Sequence, residues 1–482
     1  MSFWNKLFGW VKKKKKPEEP EKKKSLDVKY AFHALEPEAS EEYPEDGVPR
    51  LDALESFRAT DAYFDALITC EGAELKVFLE NGDGSYIACF MNAEPESFSA
   101  YGASLVTNRY ERKQARRVMN SENLFEMYTN ATHVISLFYI AHKKEIRVTF
   151  ESKEVNGYWE YVNENTANDV CKPLLLQVGC GPDGTKLTAG MCYIFRLSNG
   201  EFVILDGGHN DDRYVLGENG QRMYQKLKEY APDPAHIRIA AWLITHPHAD
   251  HNGVLLYFIN HYLDDPALEI RHLLINHPSD EVLMEDQRVG VEKVTVVRGL
   301  IEKLVQAKGT NVHKTHAGQT LDFGTDATLE ILYTHELRLP GALYGANNLS
   351  IVSRMTACGQ TYLFTGDSKA HANRMIERMY GGRLHSDFYQ TPHHGMGPNT
   401  LTLAETVDPR WVLWPVGQGR VEISRAKPHN EFFQSDRNHV EAIFLGKYLT
   451  HEFQLPFDGT NYTVTENIPI AQPEQSDMER NT

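Results

Sequence analysis

Residues 243–254 read LITHPHADHNGV, and this stretch decides the fold. An apolar, strand-like run ends there in three histidines and one aspartate within six positions: His246, His248, Asp250 and His251. Imidazole and carboxylate suit Zn²⁺ and similar ions, and a loop past a strand end can turn alternate side chains toward one point. His246 and His248 can share one ion while Asp250 and His251 reach a second. Two ions roughly 3.5 to 4 Å apart can hold a bridging hydroxide.

The overall composition is ordinary for a globular chain of two or more domains, with 41% hydrophobic and 24% charged residues among 482. Six cysteines without CxxC spacing indicate neither a thiolate zinc site nor a disulfide framework. The net charge of -16 repels polyanions on average, although it leaves room for a local basic groove. No apolar run has the length of a membrane helix and the start lacks the order of a secretory signal, so we expect a cytoplasmic protein.

The two ends of the chain are expected to be tails. Residues 1–55 begin MSFWNKLFGWVKKKKKPEEPEKKK, and such charge blocks rarely fold, which predicts a basic, disordered tail and linker. One alternative is an amphipathic foot that contacts an anionic membrane surface weakly and keeps the protein peripheral there. Another is a tail that binds a partner or nucleic acid. Residues 466–482 form a polar C-terminal tail, and no obligate protein partner is evident.

Between the tails the sequence pattern changes once. Residues 56–153 contain short strand-like segments broken by turns and a helix near PESFSAYGASLV (95–106), which predicts a small α+β accessory domain. This region has no cluster of ligand-type residues, so we expect a structural or substrate-selecting role. Residues 172–460 alternate apolar strands with helices, and several strands are too uniformly apolar to have a wet face. A four-layer αββα sandwich fits this pattern better than a simple doubly wound sheet, although the pattern alone does not separate the two. Helices are predicted over 214–230, 252–263, 281–308, 370–380 and 399–405.

The motifs together resemble those of the metallo-β-lactamase superfamily of dinuclear metal hydrolases. Its hallmark is the HxHxDH loop, here 246–251, and four further stretches follow the family's order: FVILDGG (202–208), NNLSIV (347–352), YLFTGDS (362–368) and QTPHHGM (390–396). More narrowly, the chain is similar to the branch that contains the C-terminal domain of the DNA-uptake channel ComEC and the phosphorylcholine esterases. The resemblance covers about residues 172–460 and implies the four-layer fold, two metal ions and a hydrolytic reaction.

Two further motifs supply candidate ligands. Asp367 ends the apolar strand TYLFTGD, so its carboxylate emerges near the histidine loop and can bridge both ions. The resemblance implies that His393 or His394 completes the shell of the ion held by His246 and His248. The sequence leaves open which of the two binds, and we favour His393. His394 then supports a ligand or faces the substrate, and we assign catalytic roles to Asp250 and His394.

The second ion would take Asp250, His251 and Asp367 and needs one more nitrogen. In the competence-type branch a histidine beyond HHG supplies it, and His429 is the candidate, with helix capping as the alternative role. Many superfamily members carry a ligand histidine about two dozen residues before the bridging aspartate. This chain has Asn347 and Ser350 in that region, as the competence-type branch does. The fallback ligands are His277 and His335, although a surface or capping histidine is the commoner explanation for both.

The FVILDGG stretch is expected to support the site rather than to bind metal. Gly207 and Gly208 permit a turn beneath the metal loop, and Asp206 can accept a hydrogen bond from a liganding imidazole or a loop amide. His209 would lie at the mouth of the site, either in contact with substrate or as an incidental polar residue.

These expectations define a reaction class. We expect two divalent ions, Zn²⁺ first with Mn²⁺ or Fe²⁺ as alternatives, and hydrolysis of a phosphodiester or phosphate ester in a small molecule or nucleic acid. Hydrolysis of amide, thioester or lactam bonds comes second, and a catalytically inactive metal-binding module third. Diiron proteins that reduce oxygen or NO share the fold, but they typically carry glutamate where this chain has His248 and have a flavin partner domain. His248 and the lack of a flavodoxin-like phosphate loop in this sequence argue against that reaction.

Overall fold

The structure is a computed structural model. It describes residues 51, 67–81, 84–153, 156, 171–178, 190–209, 217–278, 291–324, 327–341, 345–397, 400–416, 421, 423–446 and 449–466. Of the predicted tails, 1–55 and 466–482, only Leu51 and Glu466 belong to the described residues. No described helix combines the length and the apolar character that crossing a bilayer requires.

The first sheet has six antiparallel strands in the order β1-β2-β6-β5-β4-β3. They are β1 (Glu74–Glu80), β2 (Tyr86–Met91), β3 (Glu111–Arg117), β4 (Leu124–Thr129), β5 (His133–Ile140) and β6 (Glu145–Ser152), with helix α1 (Pro95–Thr107) between β2 and β3. Helix α1 places Phe98, Tyr101 and Leu105 on one face, in an apolar cluster with one side of the sheet. We call this sheet and its helix the accessory domain.

Two larger sheets follow. The nine-stranded sheet contains β7 (Leu174–Gln177), β8 (Tyr193–Arg196), β9 (Phe202–Leu205), β10 (Ile237–Leu243), β11 (Leu268–Ile270), β12 (His272–Ile275), β13 (Asn311–Lys314), β21 (Leu449–Gln454) and β22 (Tyr462–Glu466). Its order is β13-β12-β10-β9-β8-β7-β21-β22, with β11 beside β10. The seven-stranded sheet runs in chain order: β14 (Thr320–Asp322), β15 (Thr328–Tyr333), β16 (Val352–Ala357), β17 (Gln360–Phe364), β18 (Phe388–Gln390), β19 (Trp411–Trp414) and β20 (Ala442–Leu445).

Helices cover the outer faces of these two sheets. They are α2 (Gly217–Tyr230), α3 (Ala249–His261), α4 (Val291–Lys308), α5 (Ala370–Tyr380), α6 (Leu401–Val407) and α7 (Pro428–Phe433). The sheets pack face to face, with the Tyr193 and Phe364 rings 4.9 Å apart. Trp242 of β10 meets Phe258 of α3 at 5.3 Å on one outer face. Aromatic contacts between layers of this kind confirm the predicted four-layer αββα sandwich with its accessory domain.

The helix bounds differ from the predicted ones where chemistry is concerned. Helix α3 begins at Ala249, three residues before the predicted start, so Asp250 and His251 lie in its first turn. A carboxylate in the first turn is stabilised by the unpaired N–H groups there, and this favours the earlier start. Helix α4 is described from Val291 onward, and residues 279–290, where the predicted start at 281 falls, lie outside the described part.

The accessory sheet buries its second face against the sandwich. Phe125 and Phe138 share one apolar cluster with Leu332 and Met379 of the sandwich side. At Gly318 an added Cβ would lie 2.8 Å from the Phe125 ring, so this ring of the accessory domain packs directly against the Gly318 backbone of the sandwich. The interface is therefore an extension of the core.

We predict that a chain beginning at residue 168 aggregates, because removal of the accessory domain exposes this apolar face to water. Size-exclusion chromatography and a thermal melt of that chain, beside the full-length protein, measure the effect. The expected result is high-molecular-weight material or a clearly lowered melting temperature. A monodisperse monomer with the full-length melting temperature would contradict the prediction.

Candidate metal centre

The candidate ligands come from three strand ends that meet at one edge of the sandwich. His246 and His248 lie in the turn between β10 and α3. Asp367 follows β17, and His393 and His394 follow β18 in the next strand connection. The strands end because the chain leaves the buried sheet at these points, so polar side chains from separate segments face a common space.

One group of side chains forms around His246. Its Nε2 lies 2.9 Å from His248 Nδ1 and 3.8 Å from Asp367 Oδ2. The ligand atoms of these three buried residues all lie within 4.8 Å of one another. We call His246, His248 and Asp367 the first group.

A second group contains four side chains. His251 Nε2 and His394 Nε2 each lie 3.2 Å from Asp367 Oδ1, and His394 Nε2 lies 3.3 Å from Asp250 Oδ2. We call Asp250, His251, Asp367 and His394 the second group. Asp367 belongs to both groups, with Oδ2 toward the first and Oδ1 toward the second.

The contacts within the second group fit a metal ion better than hydrogen bonds. His251 Nε2, His394 Nε2 and Asp367 Oδ1 are buried, and none makes a hydrogen bond of proper geometry within the described residues. Ligand atoms about 2.0–2.2 Å from a tetrahedral ion lie roughly 3.3–3.6 Å from one another, close to the spacing found here. Imidazole nitrogen and carboxylate oxygen are also the donors that Zn²⁺ and similar ions accept.

The charges point the same way. Burial would raise the pKa of Asp367, but the neighbouring His394, His251 and His393 hold it well below its ordinary value. Burial would lower the pKa of His251, but Asp367 and Asp206 outweigh it and raise that pKa. Burial lowers the pKa of His246, helped by His251 and His248, so this imidazole is neutral, as a metal ligand must be. The cluster thus combines ionised carboxylates with a demand for positive charge.

Asp206 and Thr245 hold the second group in place. Asp206 accepts hydrogen bonds from the Thr245 amide at 2.7 Å and from the Thr245 hydroxyl at 2.9 Å. Its Oδ2 lies 2.7 Å from His251 Nδ1, which leaves Nε2 of that ring for a metal ion. Asp206 thus meets both a liganding imidazole and a loop amide. Beneath it, a Cβ on Gly207 would lie 3.1 Å from the Val254 Cβ, so the close approach to α3 favours glycine.

Ser350 links the first group to the bridging aspartate. Its hydroxyl accepts a hydrogen bond from the Asp367 amide at 3.0 Å and lies 3.3 Å from His246 Nδ1. Thr245 Oγ1 also lies 3.1 Å from His246 Nδ1. The supporting role of Thr245 was not expected from the sequence, although its position directly before His246 in LITH could have indicated it.

His393 lies beside the first group rather than within either group. Its Nε2 is 3.6 Å from Asp367 Oδ2 and 3.0 Å from the side-chain nitrogen of Asn347. The side chains of His393 and Asp250 keep 22% and 26% of their surface exposed, whereas that of His251 has none. These two residues therefore mark the side from which solvent reaches the cluster.

The structure departs from the sequence analysis at His429. That residue is buried in the first turn of α7, where its imidazole hydrogen-bonds the Gly395 backbone, and it joins neither group. Among the described residues, the nitrogen that lies with Asp250, His251 and Asp367 is that of His394 rather than that of His429. The reason is local, because His393 and His394 both adopt left-handed φ angles, 49° and 52°, and this turn directs His394 back toward Asp250.

The remaining candidates lie elsewhere. His335 is buried against the accessory domain, with Nε2 3.3 Å from Asn81 Oδ1, and neither it nor His277 joins the two groups found among the described residues. His209 is partly buried, and its carbonyl accepts a hydrogen bond from Asn219 at 2.6 Å.

No curated protein matches the chain in sequence. Among solved structures, the diiron β-hydroxylase CmlA from Streptomyces venezuelae is 16% identical over 50% of this chain and 44% of its own, with a TM-score of 0.29. A protein from Parabacteroides distasonis described as a metal-dependent hydrolase is 10% identical over 67% of this chain and 97% of its own, with a TM-score of 0.27. This chain thus spans less than half the length of CmlA, and scores of this size do not bear on the reaction.

The family comparison is more specific. Residues 185–395 match the profile of the metallo-beta-lactamase superfamily, a range that holds every member of both ligand groups. The chain therefore carries a metallo-β-lactamase superfamily domain.

Proposed function

We propose that the protein is a dinuclear metal-dependent hydrolase that cleaves phosphodiesters or other phosphate esters. The observation that carries this proposal is the Asp367 carboxylate, whose two oxygens face two separate groups of ligand atoms. In this assignment the first group holds one divalent ion and the second group holds another, with Zn²⁺ as the first choice and Mn²⁺ or Fe²⁺ as alternatives.

The ions, when bound, would supply a nucleophile at neutral pH and polarise the ester bond. The protein's own part is to fix the ligands. Asp206 holds His251 through its Nδ1, and Ser350 holds the Asp367 backbone. These contacts keep the ligands from rotating when charge changes during the reaction.

The exposed side of the cluster is where the substrate would bind. Asp250 and His393 reach solvent there, while His394 is buried. We therefore assign the substrate-facing role to His393 and a ligand role to His394, the reverse of the expectation from the sequence. His393, whose Nε2 lies beside Asp367 and the Asn347 side-chain nitrogen, stands on the exposed side where a bound ester would approach.

The charge of the loaded site is compatible with an anionic substrate. Two ions of charge +2 against the carboxylates of Asp206, Asp250 and Asp367 leave a net charge of about +1, which falls to about zero when the attacking hydroxide is counted. A phosphodiester with one negative charge is therefore not repelled as a whole, and its oxygens can approach the ions. The rest of the surface is acidic on average, with a net charge of -16, so attraction to a phosphate ester is local to the site.

The test combines metal analysis with a substrate panel. We expect purified protein to contain close to two divalent ions per chain by mass spectrometry, and to hydrolyse bis(p-nitrophenyl) phosphate. Chelation should abolish turnover, and added Zn²⁺ or Mn²⁺ should restore it. Protein that binds no metal would overturn the proposal. Metal-loaded protein that cleaves only lactam, thioester or amide substrates would refute the choice of phosphate esters.

A further inference from the structure

A second cluster of ionisable residues lies away from the metal centre, between the accessory domain and the sandwich. His316 lies between two carboxylates: its Nε2 is 2.9 Å from Glu151 Oε2 and its Nδ1 is 2.8 Å from Glu336 Oε2. Glu151 belongs to β6 of the accessory sheet, and Glu336 belongs to the short turn that follows β15. All three side chains are buried. We call them the Glu–His–Glu bridge.

The bridge has the residue types of a metal site but the geometry of hydrogen bonds. Both imidazole nitrogens already contact a carboxylate, and a single ion could take only one of them. Glu336 receives further hydrogen bonds from Asn81 at 2.7 Å and Thr334 at 3.1 Å. Glu151 receives one from Asn156. The metal centre, by contrast, leaves the buried Nε2 atoms of His251 and His394 without such partners among the described residues, whereas both His316 nitrogens have one.

The positive charge in the bridge is therefore the imidazolium itself. Burial would lower the pKa of His316, but Glu151 and Glu336 outweigh burial and raise it to about 10. Lys314 adds a second cation, 3.8 Å from Glu151 Oε1. The buried imidazolium is paired with a carboxylate on each side. Breaking either contact would leave an unpaired charge in the protein interior, which is strongly unfavourable, so the bridge restrains Glu151 and Glu336.

Other residues of the accessory domain also contact the short turn that follows β15. Arg147 of β6 donates a hydrogen bond to the Glu336 carbonyl, and Asn81 Oδ1 lies 3.3 Å from His335 Nε2. Asn81 also contacts the Glu336 carboxylate. The turn at 335–336 is thus fixed by Asn81, Arg147 and Glu151 of the accessory domain.

This turn leads directly to the metal centre. Strand β15 ends at Tyr333 and strand β16 begins at Val352. The connection between them carries Glu336 near its start and Asn347 and Ser350 near its end. Ser350 holds the Asp367 amide, and the Asn347 side chain lies 3.0 Å from His393 Nε2. One end of the β15–β16 connection is therefore tied to the accessory domain and the other to the candidate ligands.

We propose that the accessory domain is a positioning element of the metal centre and acts through the Glu–His–Glu bridge on the β15–β16 connection. The proposed effect on metal binding rests on the function proposed above, whereas the effect on the connection does not. The accessory domain would thus set ligand geometry without itself supplying a ligand.

The test uses His316→Gln and Glu151→Gln in the full chain. The control is Arg116→Gln, which breaks another accessory–sandwich ion pair, Arg116 to Glu330 at 2.7 Å, outside the connection. Hydrogen–deuterium exchange of the metal-free proteins reports the connection through peptides that cover 335–341 and 345–350. Competition with a chelator reports zinc affinity.

We expect both bridge variants to exchange faster in the connection and to lose zinc affinity about 10-fold or more, the size seen when residues behind metal ligands are removed. The control should do neither, even if its melting temperature falls. Unchanged exchange in the folded bridge variants, or equal changes in Arg116→Gln, would overturn the proposal. If His316→Gln does not fold, Glu151→Gln, which keeps the side-chain shape, decides the question. Wild-type protein without metal would refute the proposed function alone, because the exchange measurement still tests the bridge.

Discussion

The Asp367→Ala protein should lose at least one of its two metal ions and lose hydrolytic activity on the order of 100-fold or more. Asp367 Oδ1 lies 3.2 Å from both His251 Nε2 and His394 Nε2, and Oδ2 lies 3.8 Å from His246 Nε2. Removal of this carboxylate takes a ligand from both groups at once. It also leaves the imidazoles without the negative charge that faces them. Metal content by mass spectrometry and turnover of a phosphodiester substrate measure the two losses.

Asp387→Ala is the matched control for that experiment. Asp387 lies just before β18 and accepts a hydrogen bond from the Thr361 amide at 2.9 Å, so its loss affects the packing of the same sheet but no candidate ligand. This control should keep both ions and most activity despite a lower melting temperature. Full metal content and activity in Asp367→Ala would remove that residue from the site and, with it, the dinuclear assignment.

The second large effect separates three histidines. His394→Ala should empty the position of the second group and lose activity by about 100-fold or more, because its Nε2 is the fourth ligand atom of that group. His429→Ala should keep both ions, since the structure places this residue against the Gly395 backbone. His393→Ala should keep both ions but turn over substrate more slowly, as expected of a residue on the exposed side. Crystals of each variant soaked in zinc would show which position empties.

The opposite pattern would restore the alignment drawn from sequence. If His429→Ala loses an ion while His394→Ala keeps two, then α7 moves toward the metal centre in the loaded protein. Loss of an ion in His393→Ala would instead show that this imidazole, 3.6 Å from Asp367 Oδ2, completes the first group. The three variants thus distinguish the three ways of closing the site.

The contiguous parts of the site were predictable because strand ends are visible in sequence. The apolar run before His246 and the one before Asp367 both end at polar residues. Uniformly apolar strands indicate a sheet covered on both faces, but they do not separate a four-layer sandwich from a doubly wound sheet, and the motif resemblance made that distinction. The choice between His394 and His429 was not predictable. It depends on two consecutive left-handed φ angles at His393 and His394. Histidine adopts this conformation more often than most residues other than glycine, but still in a small minority of cases, so the sequence does not predict two in a row.

The interface of the accessory domain was hidden for another reason. The β6 segment EIRVTFES alternates charged and apolar residues, which is typical of a strand with one wet face. In the structure Glu145, Arg147 and Glu151 on that face are buried, and Glu145 pairs with Arg147 at 2.5 Å. A local pattern shows that a face is polar, but it does not show that a partner with complementary charges covers it.

The pairing of β21 with β7 also has a consequence for synthesis of the chain on the ribosome. Strand β7 comes first in the nine-stranded sheet, yet its neighbour on one side is Leu449–Gln454, near the end of the chain. When all the candidate ligands of a nascent chain have left the ribosome but residues 449–454 have not, β7 is still an unpaired edge strand, which can pair with other chains. Premature termination before residue 449 therefore yields a protein that contains every candidate ligand and is nevertheless prone to aggregate. Strand β21 is needed to cover the β7 edge.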